Sequence, residues 1–379
     1  MALPPSCRLE VCFADVADPR VERTKRHRLL DVIALSLLGV ISGAEAWTEI
    51  EAFGHAKHEW LKALLELPNG IPSHDTFGRV FAALDPVQFE TGFARWVEAL
   101  ADLTEGQVIA LDGKTLRGSH DRPDGRPPLH LVSAWAHENR LVLAQVATDS
   151  RSNEITALPI LLQALDVRGA VVTIDAMGCQ TELAQQIVDQ GADYVLALKG
   201  NQAVLHDGVR EAFALAAADG YDGVAHDRAE TVGKGHGRIE TREVTTLTEP
   251  SWIAHVNPSG AWPRLQTIVR VHSRREMVGG STSEATRYYI TSLKAPAATI
   301  GAAIRAHWSI ENSEHWVLDV GFREDENRTR EGNAAQNLGI LRRLALNLLR
   351  EERSTKLGLK GKRLKAGWDT AYLFRVVFG

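Results

Sequence analysis

Two aspartates close apolar runs of strand character: Asp112 ends QVIALD and Asp175 ends AVVTID, with Gly113 and Gly178 close behind them. A carboxylate at a strand end often does no more than cap a turn, so either residue alone says little. On neighbouring strands the pair would be different, because adjacent carboxylates repel unless a cation neutralises them. Oxygen-only ligands suit Mg²⁺ or Mn²⁺ better than zinc. Two such ions about 4 Å apart activate a water or a nucleic-acid 3′-hydroxyl and stabilise the leaving oxygen of a phosphodiester. Such a site needs a third carboxylate, and the chain offers Glu311, Glu314, Asp319 and Glu324 within a short stretch.

Basic and amide residues accompany both strands. Lys114 and Arg117 follow Asp112, and Lys199 and Asn201 follow the strand-like DYVLALK; all four are read as phosphate contacts or as ordinary surface polarity. GKT at 113–115 is not a nucleotide phosphate loop, because that motif requires a glycine five positions before Gly113, where Val108 stands. Cys179, beside the second aspartate, is expected to be a buried small apolar residue.

The elements that must position these residues are legible from texture. The first hundred residues read as helices, with Thr48 and Glu51 as a capping box, Ser73 as an N-cap and Pro86 at a first helical position. SHDTFGRVFAAL puts Phe77, Val80, Phe81 and Leu84 on one face and leaves His74, Asp75 and Arg79 outward, which suits a helix-turn-helix or a plain bundle. From residue 105 the pattern changes. QVIALDG, LHLVSAWA and LVLAQVAT predict three antiparallel strands, and ITALPILLQAL, AVVTIDA, TELAQQIVDQ and DYVLALK predict alternating helices and parallel strands. That α/β order is the order of a ribonuclease-H-like core. A β-rich insertion follows, in which Lys234, His236, Arg238 and Arg242 form a basic hairpin or a solvated loop, before helices return. The division expected is 1–104 helical and DNA-binding, 105–219 core, 220–293 insertion, 294–352 core with the helix bearing the third carboxylate, and 353–379 a basic tail.

Composition excludes several classes. The 379 residues carry a net charge of −5 and are 44% hydrophobic, so a soluble globular protein is expected, and any polyanion site must come from local charge. Basic residues cluster from Arg20 to Arg28 and from Arg342 to Lys365. Three cysteines, Cys7, Cys12 and Cys179, make no disulfide framework and fit a reducing cytoplasm. The longest apolar run, from Leu29, is broken by Asp31 and Ser36 and falls short of the ~20 residues of a membrane span.

LDGKTLRGS, SNEITALP, TIDAMGCQ, ALKGNQ, HGRIETR, HWSIENSEHWVLDV and NLGILRRLALNLL, in this order, are similar to the Asp-Asp-Glu transposases of bacterial insertion sequences, in particular the group that includes the H-repeat proteins of Rhs elements. The resemblance spans nearly the whole chain. It implies a metal site of Asp112, Asp175 and Glu311 holding Mg²⁺ or Mn²⁺, with two ions, and cleavage and transfer of DNA strands. It implies double-stranded DNA as partner, both element terminal repeats and target, and a homodimer on that DNA. No membrane is involved, and the protein would be cytoplasmic and nucleoid-associated when bound. A catalytically silent DNA-binding descendant and a generic two-metal nuclease are the alternatives.

The family pattern of Tyr, Arg, Glu and Lys is only partly kept. Aligned on Glu311, this chain has Ile304, His307 and Leu318 at the other three places, so phosphate-gripping roles do not carry over. Glu311 follows Trp308 and Ile310 as in the family motif and is the expected ligand. At 100° per residue Glu314 then falls to another side and reads as a solvated charge. His315 is a DNA contact or a support behind the ligand, and a zinc site of His307, Glu311 and His315 stays open. Trp308 and Trp316 are read as core.

Overall fold

The computed structural model describes residues 9–99, 106–120, 125, 127–148, 154–235 and 237–379. The chain divides into two compact units that are each discontinuous in sequence. One comprises Met1–Asp102, Gly113–Asn153 and Glu311–Gly379; the other comprises Leu103–Asp112 and Glu154–Ile310. Together the elements make a mixed α/β protein with a large mixed sheet.

The first unit is mainly helical. It holds α1 (Leu9–Cys12), α2 (Leu29–Ile41), α3 (Trp47–Ala56), α4 (His58–Leu61), α5 (His74–Ala83) and α6 (Pro86–Glu98). It also holds the hairpin β2 (His130–Ala136) and β3 (Leu141–Ala147), which lies beside β1 (Val108–Thr115), a strand shared by both units. Its last segment carries α12 (Trp316–Phe322), α13 (Ala334–Glu351), α14 (Leu359–Trp368) and α15 (Thr370–Phe378). Almost every residue of α13 is buried, because α2, α5, α6, α14, α15 and β3 all pack around it. The N-terminal helices therefore share one core with the C-terminal ones.

Local signals explain several helix ends. Asp85 accepts from the amide of Val87 at 2.8 Å, with Pro86 at the first helical position, as expected. The capping box differs from expectation. α3 begins at Trp47, so Glu49 occupies the third position and its carboxylate accepts from the amides of Glu45 and Ala46, at 2.6 and 3.3 Å. Glu51 instead accepts from the backbone amide of His74 and meets its ring Nδ1 at 2.6 Å, joining α3 to α5. Phe77, Val80, Phe81 and Leu84 are buried while His74, Asp75 and Arg79 face solvent. α4 ends at Leu61 and α5 starts at His74, a connection much longer than the ~3–4 residues of a helix-turn-helix. Residues 353–379, expected as a basic tail, supply α14 and α15.

The second unit is built on a sheet of order β1-β4-β5-β9-β8-β7-β6. Its further strands are β4 (Val171–Ile174), β5 (Asp193–Leu198), β6 (His226–Gly235), β7 (Arg238–Leu247), β8 (Thr267–Met277) and β9 (Thr282–Thr291). β1, β4 and β5 are parallel, joined through α7 (Glu154–Gln163) and α8 (Thr181–Asp189). β4 is VVTI, buried at every position, as a parallel strand covered on both faces requires. The remaining strands are antiparallel and, with α10 (Pro250–Val256), fill the segment expected as an insertion, extending this sheet rather than making one of their own; α9 (Ala203–Ala218) precedes that segment. α11 (Ala297–His307) lies on one face, where Ala297, Ile300, Ala303 and Ile304 cluster with Val108, Val171, Val195, Val244, Val269, Val271 and Tyr289. Gly301 permits that approach, since a Cβ there would sit 2.8 Å from a methyl of Val244.

Candidate functional site: a carboxylate pair and a buried ion network

β1 and β4 pair in parallel register, with Val108 opposite Val171, Ala110 opposite Thr173 and Leu111 opposite Ile174. Asp112 and Asp175 are the next residues on the two chains. Neighbouring strands run about 4.8 Å apart, so the two carboxylates leave adjacent backbones together, Asp112 from within β1 and Asp175 from just past the end of β4. Alternation sets their direction: Val108 and Val171 face α11, as do Ala110 and Thr173, and Asp112 and Asp175 continue that series. His307, at the end of α11, hydrogen-bonds through Nδ1 to Thr173 Oγ1 at 3.1 Å. Burial holds the imidazole below the usual histidine range, against the opposing pull of the Asp175 carboxylate. His307 is therefore neutral at pH 7.

The loop that carries Asp175 is fixed from several sides. One carboxylate oxygen accepts from the amides of Met177 and Gly178 at 2.9 and 3.4 Å. A Cβ at Gly178 would lie 2.3 Å from an Ile174 methyl, so only glycine fits there. Asn201 donates to the carbonyl of Ala176 at 2.5 Å, and Gln202 donates to that of Cys179 at 2.9 Å. Asn201 thus braces the second aspartate's loop, while Lys199 is exposed beside it. Cys179 is buried, and burial pushes its thiol up to about 12, which makes it inert as expected.

Glu311 is exposed and opens a π turn, Glu311–His315, between α11 and α12. In and around this turn two expectations are corrected, and one of the two roles open to His315 is removed. Glu314 is not solvated: it is fully buried, with Oε1 accepting from Arg343 Nε at 2.9 Å. Trp308 and Trp316 are not core residues but stand 45% and 61% exposed, with the Arg287 guanidinium over the Trp308 ring at 5.3 Å. His315 is buried, and burial with the nearby charges of Arg343 and Lys114 brings it down to about 3, so it stands behind the surface rather than facing DNA. The uniform 100° step fails because a π turn, bonded i→i+5, rotates less per residue than an α-helix.

Lys114 also departs from expectation. It is buried, and its ammonium lies 2.5 Å from Asp319, 3.0 Å from Asp325 and 3.6 Å from Glu324. Burial opposes its charge, but Glu324 and Asp319 outweigh that and raise it above the usual lysine range. Its charge is already balanced inside the protein. Arg343, fully buried, donates to Glu314, to Glu324 at 3.1 Å and to Ser133 Oγ at 3.2 Å. Despite burial, Arg343, Arg342 and Lys114 hold the Glu324 carboxyl below the usual range. Arg363 is buried too and donates to the carbonyl of Val40 near the end of α2, at 2.8 Å from Nη2. Part of the C-terminal basic cluster is thus internal, and spacing alone gave no signal of it.

Other residues expected at a DNA surface are accessible. The Arg117 side chain is 84% exposed, 3.5 Å from Asp325; Arg79 is exposed, and Arg238 is half-buried where the β6–β7 hairpin begins its return. His236 and Cys7 lie outside the described residues. Among the described residues no group of three or more His, Cys, Asp or Glu side chains is arranged to hold a metal ion, and no helix is long and apolar enough to cross a membrane. By donor chemistry the adjacent aspartates suit a hard cation.

Comparison with known proteins gives the family. The family model described as "Transposase DDE domain" matches residues 103–348, and its companion "DDE_Tnp_1-associated" matches residues 11–97. A protein of Escherichia coli O157:H7 named "Putative transposase YncI" is 42% identical over 365 residues, covering 96% of this chain and 92% of that protein. "H repeat-associated putative transposase YhhI" of Escherichia coli K12 is 38% identical over 367 residues, 96% of each chain. The chain belongs to the DDE transposase family.

Proposed function

We propose that this protein is an insertion-sequence transposase that cuts DNA strands at element ends and joins them to target DNA, on a ribonuclease-H-like core. The observation that carries the reading is the register of β1 and β4, in which Asp112 follows the Leu111–Ile174 pair inside β1 and Asp175 follows it just past the end of β4, on one face. Asp112, Asp175 and Glu311 would hold the metal, Mg²⁺ or Mn²⁺, which would supply activation of the attacking oxygen and charge stabilisation at the phosphorus. The chain's own residues do the placing. Asn201 and the amides after Asp175 fix that carboxylate, and neutral His307 packs beside it without competing for its charge. Lys199, Arg117 and Arg238 supply phosphate contacts, and Arg79 serves end recognition from the N-terminal helices. Two copies pair two element ends on DNA, and the protein acts in the cytoplasm at the nucleoid. The test is Mg²⁺-dependent release of element-end DNA by the wild type and not by Asp112→Ala. Equal release by both would end the reading, as would full release in excess EDTA.

A further inference from the structure

Buried ions are costly unless well paired, and this chain buries a connected set of them. Arg343 bridges Glu314 and Glu324, and Glu324 and Asp319 in turn engage Lys114. The anchoring points are informative. Lys114 lies at the end of β1, two residues beyond Asp112; Glu314 lies inside the π turn, three residues beyond Glu311. Ser133 ties the same guanidinium to β2, and a further arginine, Arg350, donates to the carbonyl of Ser313 in that turn. A wide, poorly repeating turn is thereby held at two consecutive residues by arginines of α13.

We propose that the Lys114–Glu324–Arg343–Glu314 network is a positioning device, which sets the π turn and with it Glu311 relative to the end of β1. The proposal rests on the reading of Glu311 as the third metal-holding carboxylate. Arg343 is the central positioning residue because its planar fork meets two glutamates at once, which an ammonium cannot do with the same geometry. Glu314 turns inward so that Glu311, on the same turn, can stay at the surface.

Arg343→Lys tests this, since it keeps the charge and removes the fork. Bound Mn²⁺ is measured from the free-ion EPR signal at a temperature well below each variant's melting point, alongside the Mg²⁺ concentration for half-maximal cleavage. Arg343→Lys and Glu314→Gln are each expected to weaken Mn²⁺ binding about tenfold or more, the usual effect of losing support behind a metal ligand. The Mg²⁺ requirement rises in step. A purely structural role would lower the melting point and leave both metal readouts unchanged, which would overturn the proposal. Should Arg343→Lys fail to fold, Glu314→Gln decides by the same criterion. Glu311→Gln is the control. If it binds Mn²⁺ and cuts like wild type, the third-ligand reading is wrong and this proposal falls with it; if it fails while the other two are normal, only the network's role is refuted.

Discussion

The two acidic regions of this chain solve opposite problems. Glu314 and Glu324 are fully buried and meet cations that the protein itself provides, Arg343 and Lys114. Asp175, half-buried at a strand end, is met by backbone amides and lies near a neutral histidine. Equal formal charge therefore has different consequences. A carboxylate with an internal cation belongs to the framework, whereas Asp175 is held by backbone dipoles, which under the proposed function leaves it to meet a cation from outside.

The sharpest way to break this contrast is to neutralise one member of each group. Asp112→Asn and Asp175→Asn are expected to lower the cleavage rate by at least about a thousandfold, a barrier increase of about 4 kcal/mol, with DNA binding retained. Their stability should hold or rise, because a repulsion is relieved. A variant cutting near the wild-type rate would remove that aspartate from the site. Arg343→Met should do the reverse. Stripping the partner from two buried glutamates costs about 3–5 kcal/mol in urea unfolding. A loss below ~1 kcal/mol would mean that the network does not hold the fold together.

The pairing of β1 with β4 was readable because β-branched runs separated by an amphipathic helix leave few topologies, and both runs stop on aspartate. The N-terminal helices were likewise readable from Phe77, Val80 and Phe81 at helical spacing. Their sharing of a core with α13 was not, since nothing local marks a contact that spans most of the chain. Glu314 was misplaced because an α-helical step was carried through a turn that is π-helical, whereas Trp308 and Trp316 were read as core only from the general tendency of tryptophan to be buried. Lys114 and Arg343 look like surface charges in sequence, because burial of a long cation depends on partners, Glu324 above all, brought in by tertiary folding.

Glu90 offers a smaller test of the same distinction, as a half-buried residue whose Oε2 is enclosed and whose charge is opposed mainly by desolvation. Its carboxylate accepts from the amide of Gln145 at 2.8 Å, and burial pushes it up to about 8. The folded state then holds a proton that the unfolded state, near 4.5, releases. Stability is full below pH 4.5 and falls as pH rises toward 8, by roughly 3–5 kcal/mol in all for this residue. Glu90→Gln should flatten that part of the pH–stability curve. An unchanged slope between pH 5 and 8 would show that Glu90 ionises freely.

The smallest effect concerns cations, and it carries the comparison to the surface. Arg20 and Arg79 both lie in the N-terminal helical region. Arg20 is committed inward, donating to both oxygens of Asp18 at 2.9 and 2.7 Å and to the carbonyl of His27. Arg79 is exposed, with Nε on the carbonyl of Asp75 one turn earlier at 3.1 Å, which orients the guanidinium without neutralising it. If uncommitted cations are the ones that meet phosphate, Arg79→Ala should weaken DNA binding by about 1 kcal/mol and reduce the slope of log affinity against log salt by about one. Arg20→Ala should leave the slope unchanged and appear instead as lost stability. Both measurements need the full chain, because α13 completes the core of the N-terminal helices. Equal salt slopes for wild type and Arg79→Ala would show that α5 does not face the DNA backbone.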